Sequence, residues 1–456
     1  MSRMGADVAL LYPYFRPPRD SSPFRFPPLG LGYIAAYLKK HNFSVSLVDC
    51  TFATQGEALK RVRDSHPRII GIYSMYSMKE KAMEMADLLR GDCELLITGG
   101  PLPSVNPKEF LGHFDVVVIG EGEQTTLELV KQFDRSGDLS RVRGIMHKKN
   151  GRVNCTGSRP FIQDLDSIPF PSRELFDNDS YKAHYSKIFG YTMTSLMSSR
   201  GCPFNCDFCS RPIFGNTLRA RSATNVVDEI EQVKELGYQR IWFADDCFTL
   251  NHKRLLEICH EMIQRGIKVE WECLSRVDTV NKKTADMMKL AGCRRVFFGI
   301  ESGNDRVLSL MKKQITTEKA KKAVKETKQS GIEVGAFFIV GYPGETSETI
   351  LDTVNFASEL PLDYLSFTMP YAIPGTSLYD RVRDRLISDE WEEPRSRYLV
   401  KHKLLICSPF SEGKLKVAIL KGMIQFELRK YLGNRAYKLI GVPLEKIMNY
   451  VYKALR

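Results

Sequence analysis

Short β-branched or aliphatic runs alternate with amphipathic helical patterns along most of this chain, and this narrows the possible folds more than any other feature. In the first 150 residues Val8–Leu11, Ser44–Val48, Ile69–Tyr73, Leu95–Thr98 and Val116–Ile119 read as strands. Between them, Leu31–Lys40, Gln55–Asp64, Lys79–Leu89 and Thr125–Phe133 have helical spacing. The pattern predicts an α/β fold of Rossmann type, a parallel sheet covered on both faces. Two of the strands run into Gly-rich turns, Gly99-Gly100-Pro101 and Gly120-Glu121-Gly122-Glu123. Open α/β sheets bind ligands at such strand ends, although glycine also serves any tight turn.

Residues 151–190 contain Pro160, Pro169 and Pro171 without clear periodicity and read as an extended connector. A second alternation follows, with candidate strands Thr192–Ser198, Arg240–Ala244, Val269–Leu274, Arg295–Ile300, Val334–Val340 and Tyr364–Met369. Asn225–Leu236 and Lys253–Arg265 are among its helical stretches. Six βα units without a dinucleotide fingerprint predict a partial (β/α)6 barrel of TIM type, with its chemistry at the strand C-termini. The expected organisation is therefore a parallel-sheet domain at 1–150, a connector at 151–190, the barrel at 191–380 and a basic helical region at 381–456.

Composition excludes several classes. Hydrophobic residues make up 43% of the 456, enough to bury sizeable cores and too many for wholesale disorder. The net charge is +12, yet from Arg395 to Arg456 there are 14 basic and only 3 acidic residues. An enzyme wrapping a nucleic acid is more often basic throughout, so nucleic acid is not the expected partner. Eleven cysteines, scattered apart from one cluster, suit a reducing compartment better than a disulfide framework. The start has no signal-peptide pattern, and no run reaches the roughly 18 apolar residues of a membrane span. The expected location is cytoplasmic, with peripheral membrane contact open.

The chemistry concentrates in Ser199-Arg200-Gly201-Cys202-Pro203-Phe204-Asn205-Cys206-Asp207-Phe208-Cys209. Gaps of three and two residues let one short loop after the first barrel strand wrap three thiolates around one centre. A structural zinc site needs four ligands, normally taken in pairs. No second pair follows; Cys247, Cys259, Cys273 and Cys293 stand far apart in the sequence. Buried, inert cysteines are the bland alternative. A [4Fe-4S] cluster usually takes four cysteines, so three leave one iron for another ligand.

This segment resembles the radical S-adenosylmethionine superfamily, whose signature is CxxxCxxC with an aromatic before the last Cys, the position of Phe208. The resemblance implies an enzyme in which Cys202, Cys206 and Cys209 hold a [4Fe-4S] cluster and S-adenosylmethionine chelates the open iron. One electron, from a donor such as flavodoxin or ferredoxin, then cleaves S-adenosylmethionine reductively. The resulting 5′-deoxyadenosyl radical abstracts hydrogen from substrate. Fe–S potentials reach about −700 mV, low enough for such chemistry. The family pattern places further S-adenosylmethionine contacts at successive strand ends. Asp245 and Asp246 fall at the amine, Arg276 at the methionyl carboxylate, Glu301 with Ser302 at the ribose, and Gly341 on the adenine side.

The wider chain resembles a subgroup with an N-terminal cobalamin-binding-like domain. The matching text is Pro27-Pro28-Leu29-Gly30-Leu31-Gly32-Tyr33, the two Gly-rich turns, and Asp164-Leu165-Asp166-Ser167-Ile168-Pro169-Phe170-Pro171. Gly99, Gly100, Pro101, Gly120, Glu121 and Gly122 are the implied cobalamin contacts, mainly through backbone. The DxHxxG motif is absent, so the resemblance implies binding without a histidine lower ligand; a fold retained without its cofactor is the alternative. The subgroup includes methylases of unactivated carbon, ring-forming cyclases and enzymes acting on hopanoid or other lipids.

The C-terminal region hints at the substrate. Lys414–Leu432 is amphipathic with basic flanks, and Leu444–Leu455 is similar. Such helices either lie on an anionic membrane or cap the barrel. The first reading implies peripheral membrane contact and a small-molecule or lipid-like substrate. The rivals are an RNA-modifying enzyme of the same superfamily and a non-catalytic Cys-rich metal- or nucleic-acid-binding protein.

Overall fold

The five aliphatic runs of the first 150 residues are strands of one sheet. In the computed structural model, which describes residues 5–15, 23–149, 151–387 and 404–454, the chain forms two units. The first comprises Met1–Cys202 and Arg211–Arg240, the second Pro203–Ser210 and Ile241–Arg456.

In the first unit the sheet strands are β1 (Val8–Tyr12), β2 (Val45–Asp49), β3 (Ile69–Tyr73), β4 (Leu95–Gly99), β5 (Val116–Val118), β6 (Ile145–Lys149) and β7 (Arg152–Cys155). Their order is β2-β1-β3-β4-β5-β6-β7. The first five pair in parallel, with Val8 opposite both Val45 and Ile69, Ile69 opposite Leu95, and Ile97 opposite Val116. β6 and β7 close the edge as an antiparallel hairpin. Helices α1 (Leu29–Lys40), α2 (Gln55–Asp64), α3 (Lys79–Leu89), α4 (Pro101–Val105), α5 (Pro107–Phe110) and α6 (Gly122–Ser136) intervene.

The inner strands β1, β3, β4 and β5 are buried on both faces. Val8 and Leu10 belong to one core cluster, Ala9 and Leu11 to another. That explains why they read as continuous apolar runs rather than alternations. Helix α2 begins at a reciprocal Thr54–Glu57 capping box, which sharpens its start.

Residues 151–190, read as an extended connector, instead carry β7 and a helix, α7 (Asn178–Phe189). Its anchors Tyr181 and Tyr185 are fully buried one turn apart among polar neighbours, so no aliphatic stripe announced it. Then come β8 (Met193–Leu196), the short antiparallel pair β9 (Ser199–Arg200) and β10 (Arg219–Ala220), and α8 (Ala223–Glu235).

The second unit continues the βα alternation. Its strands are β11 (Arg240–Phe243), β12 (Glu270–Ser275), β13 (Cys293–Glu301), β14 (Glu333–Ile339) and β15 (Tyr364–Thr368). They lie side by side in chain order, and β12 through β15 pair in parallel. Helices α9 (His252–Gln264), α10 (Lys282–Leu290), α11 (Asp305–Leu310), α12 (Thr317–Gln329), α13 (Ser347–Glu359) and α14 (Ser377–Val382) complete the alternation. The register of β13 against β14 shifts between Gly299 and Glu301, a bulge that re-aims the strand end.

Two long C-terminal helices follow, α15 (Glu412–Ala436) and α16 (Val442–Ala454). The stretch Lys414–Leu432 lies within α15. Its Leu415, Ala418, Ile419 and Phe426 are buried, and Phe367 of β15 and Val354 of α13 press on Gly422, so this helix packs on the unit. The part of the basic region at 388–403, including Arg395, and Leu455 lie outside the described residues. Among the described residues no helix is long and apolar enough to cross a membrane.

Candidate active site

In the first unit the strand order reverses between β1 and β3, and ligands of open α/β sheets bind outside such a switch point. A cavity of about 330 Å³ opens there, lined by Tyr12, Tyr73, Gly99, Gly100, Pro101, Val118 and Gly120 through Glu123 at the strand ends. Pro27 through Leu31, Tyr33, Met197, Arg200 and Phe214 complete much of its wall. At two points its wall has room only for glycine. Gly100 has φ +120°, and a Cβ there would meet the Ser74 carbonyl oxygen at 2.3 Å. A Cβ on Gly122 would meet Ile34 Cδ1 at 2.6 Å.

Tyr12 and Tyr73 stand with ring centroids 5.4 Å apart, and burial raises both phenols, Tyr73 to about 12. Ser74 is completely buried, and its hydroxyl has no partner among the described residues. The described lining residues include no histidine. A space that is mostly apolar and walled by glycine and tyrosine suits a large flat cofactor such as a corrin.

Glu121 and Glu123 carry charge that the spacing alone did not account for. Glu121 accepts from Arg200 and Arg219, both at 2.8 Å, and from the Ile162 amide at 2.7 Å. Glu123 accepts from Arg200 at 2.6 Å. The four side chains are buried. Phe214 and Phe161 stack on the guanidinium groups of Arg200 and Arg219. The Glu121 carboxylate is thus engaged by arginines inside the protein, although its turn lines the cavity. Arg200 also lines the cavity and stands two residues before Cys202. Neither arginine was singled out from the sequence.

The thiols of the CxxxCxxC loop differ in exposure: Cys202 is partly buried, Cys206 buried and Cys209 exposed. In the first unit the Cys202 carbonyl accepts from Arg211 at 2.6 Å. Among the described residues no three His, Cys, Asp or Glu side chains converge on one point. A four-iron cluster takes each thiolate on a separate iron.

In the second unit Asp207 pins the loop. Its carboxylate accepts from the Tyr342 hydroxyl and pairs with Arg381 at 2.9 Å, while its backbone amide bonds the Met311 carbonyl at 3.1 Å. Phe208 packs against a cluster containing Met311, Ile339, Tyr342 and Ile406.

Two buried cations stand beside Cys206. The Arg276 guanidinium lies 3.5 Å from the Phe204 ring centroid, and its Nη1 is 4.0 Å from the Cys206 sulfur. Burial opposes its charge, but a bidentate pair with Asp278 at 2.9 Å holds its pKa above the ordinary value. Lys313, not anticipated from the sequence, places its ammonium 5.8 Å from the Phe208 ring and donates to Glu301 at 2.9 Å. Burial alone would lower the Lys313 pKa; the Glu301 carboxylate, with help from Cys206, raises it instead. Each loop aromatic therefore carries a cation, and together they offset a thiolate-rich centre. The donor set fits an iron–sulfur cluster.

The remaining predicted positions divide. Glu301 ends β13 at φ +73°, a left-handed conformation that a non-glycine residue adopts at a cost. Asp245 is buried and Asp246 exposed. Ser302 is fully buried and hydrogen-bonded to Thr353 at 2.9 Å, while the Asn304 amide donates to it, so its hydroxyl braces a turn. Gly341, at φ +88°, turns β14 beneath Leu415, whose Cδ1 would sit 2.6 Å from a Cβ. The amides of Gly341 and Tyr342 both donate to Glu345 at 2.7 Å.

Known proteins match both halves. Residues 16–130 match the B12 binding domain, and residues 196–357 match the Radical SAM superfamily. An uncharacterized methyltransferase of Pyrococcus horikoshii is 35% identical over 414 residues, covering 88% of each chain. This chain belongs to the radical SAM superfamily.

It is a radical SAM enzyme with an N-terminal B12 binding domain. The anaerobic magnesium-protoporphyrin IX monomethyl ester cyclase of Cereibacter sphaeroides is 28% identical, covering 89% of this chain and 68% of that protein. Among solved structures, the cobalamin-dependent S-adenosylmethionine radical enzyme OxsB, with aqua-cobalamin and S-adenosylmethionine bound, superposes with a TM-score of 0.76. That match covers 98% of this chain and 72% of OxsB at 20% identity, and carries the fold alone. The fold of this radical SAM enzyme is the one expected from its sequence, a parallel α/β sheet followed by a partial (β/α)6 barrel.

Proposed function

We propose that this radical SAM enzyme is a cobalamin-dependent methyltransferase acting on a carbon centre of a hydrophobic or lipid-like substrate. The observation that carries this reading is the open, mostly apolar cavity at the switch point, whose wall includes Gly99, Gly100, Gly120 and Gly122. A domain that had lost its cofactor would gain stability by filling such a space. The 35% identity to a methyltransferase supports the same choice over ring closure.

Cys202, Cys206 and Cys209 would hold the cluster, and the cavity beside Tyr12, Tyr73 and Gly99 through Pro101 would hold cobalamin. When bound, these groups supply a low-potential electron for S-adenosylmethionine cleavage and a methyl carrier. The chain's own contribution is placement and charge. Asp207, tied to Tyr342 and Arg381, fixes the loop, and Phe204 and Phe208 carry Arg276 and Lys313 beside it. Asp245 and Glu301 supply buried carboxylates at strand ends for the ammonium and ribose of S-adenosylmethionine, and the Gly341 turn offers its backbone to the adenine. Arg276, already held by Asp278, keeps Nη1 on the Cys206 side for a carboxylate. Electrons would come from a flavodoxin or ferredoxin.

Anaerobic purification with hydroxocobalamin, followed by iron, sulfide and product analysis, tests the proposal. About four irons per chain are expected, lost when all three cysteines become Ala. With reductant and a substrate extract, both S-adenosylhomocysteine and 5′-deoxyadenosine are expected. Formation of 5′-deoxyadenosine alone would replace methyl transfer with cyclisation or rearrangement. Bound zinc in place of iron would overturn the enzyme reading.

A further inference from the structure

We propose that α16 and the π-helical stretch before it form a docking surface for an anionic lipid bilayer. The inward side of α16 is anchored by Tyr452, which is fully buried with the Lys414 ammonium 5.2 Å from its ring. The outward side is apolar. Ile447, Tyr450 and Val451, spaced as one helical stripe, are 60%, 78% and 46% exposed. Leu439, in the π-helical stretch Tyr437–Gly441 before α16, is 78% exposed. Composition alone does not produce this, because α15 buries Leu415, Ala418, Ile419 and Phe426 and exposes only Tyr431 and Leu432 among its described large apolar side chains. An apolar row directed at water marks an interaction surface.

Charge selects the occupant. Lys446 and Lys453 are exposed and flank the stripe, within a region of 14 basic and 3 acidic residues from Arg395 onward. A second copy of this chain would bring the same positive charge to the contact, whereas an anionic headgroup layer complements it. Lysine stems can lie along an apolar surface with their ammonium groups at the headgroups, and a tyrosine ring suits the same boundary. The stripe is one row wide, so α16 would lie in the interface plane. This deepens the lipid-like substrate reading but rests on the surface alone.

Co-sedimentation of the full holoenzyme with vesicles of phosphatidylcholine, with or without phosphatidylglycerol, tests it. Wild type is expected to bind the anionic vesicles and to be released by salt. Lys446→Glu with Lys453→Glu should weaken that binding by about tenfold or more. Ile447→Ser, Tyr450→Ser and Val451→Ser combined should abolish it, with iron content and circular dichroism unchanged. Should the triple variant misfold, Tyr450→Trp in the otherwise intact chain reads the contact directly, as a blue shift of its added indole emission on anionic vesicles. Absence of wild-type binding, equal binding by the serine variant, or an unshifted emission in the Tyr450→Trp variant overturns the inference. So does a dimer in sedimentation velocity that the serine variant dissolves, since the face would then join two copies. Failure to bind vesicles with S-adenosylhomocysteine formation intact would leave the proposed reaction standing.

Discussion

The ammonium of Lys313 is buried between Glu301 and the loop bearing Cys206, and a charge in such a place acts on whatever the loop holds. Lys313→Met should lower the midpoint potential of the reconstituted cluster by tens of millivolts, read by electron paramagnetic resonance during a redox titration. It should also destabilise the protein by about 3–5 kcal/mol, because Glu301 is left buried without its partner. Lys313→Arg should restore most of the potential. Gly341 makes a second residue-scale demand. At φ +88° and with Leu415 over its Cα, Gly341→Ala combines backbone strain with a clash and should cost about 1–3 kcal/mol in chemical denaturation. Leu415→Ala in the same chain should recover only the steric part.

At the scale of elements, the turn after β14 holds a carboxylate where water does not reach. Burial pushes Glu345 up to about 7, against the amides of Gly341 and Tyr342, which pull it down. Its folded pKa lies above the unfolded value of about 4.3, so the native state binds the extra proton. Stability is therefore highest below about pH 4.3 as far as this group is concerned, and falls as pH rises to about 7. The loss amounts to roughly 3–4 kcal/mol and then levels off. Glu345→Gln should flatten that slope in urea melts run across the window. On the other side of the chain, Arg200 ties β9 to the turn before α6 through Glu121 and Glu123. Arg200→Met should leave Glu123 without its arginine and Glu121 with only Arg219, at a cost of about 3–5 kcal/mol in urea unfolding.

At the scale of the whole molecule, the chain passes from the first unit to the second, back, and again to the second between Cys202 and Ile241. A fragment starting at residue 191 would lack most of the unit to which Arg211–Arg240 belong, and should aggregate on expression rather than fold. Saturating cobalamin should stabilise the intact protein by about 2.7 kcal/mol at one hundred times its Kd, seen as a rise in Tm. Gly122→Val, built against Ile34, should abolish that rise.

Most strands of both units were legible in advance because each is a short aliphatic or aromatic run set between helical patterns, a signal that needs no tertiary context. The cysteine spacing was legible for the same reason: three ligands within eight residues are a local fact. α7 was not, because its buried anchors are tyrosines whose hydroxyls made the segment look polar. Lys313 and Arg200 were hidden differently. Their partners lie 12 or more residues away, and the sign of a charge says nothing about whom it meets.

What the sequence by itself determined is therefore the alternation of elements, the glycine turns at their ends and the loop of three thiols, all set by short-range sterics and periodicity. Tertiary structure alone decided which charges face Cys206, where a cavity stays open, and that Leu415, Ala418, Ile419 and Phe426 of α15 turn inward while Ile447, Tyr450 and Val451 of α16 turn to water. The physical reason is that periodicity gives a helix an apolar face, and only packing decides what that face meets.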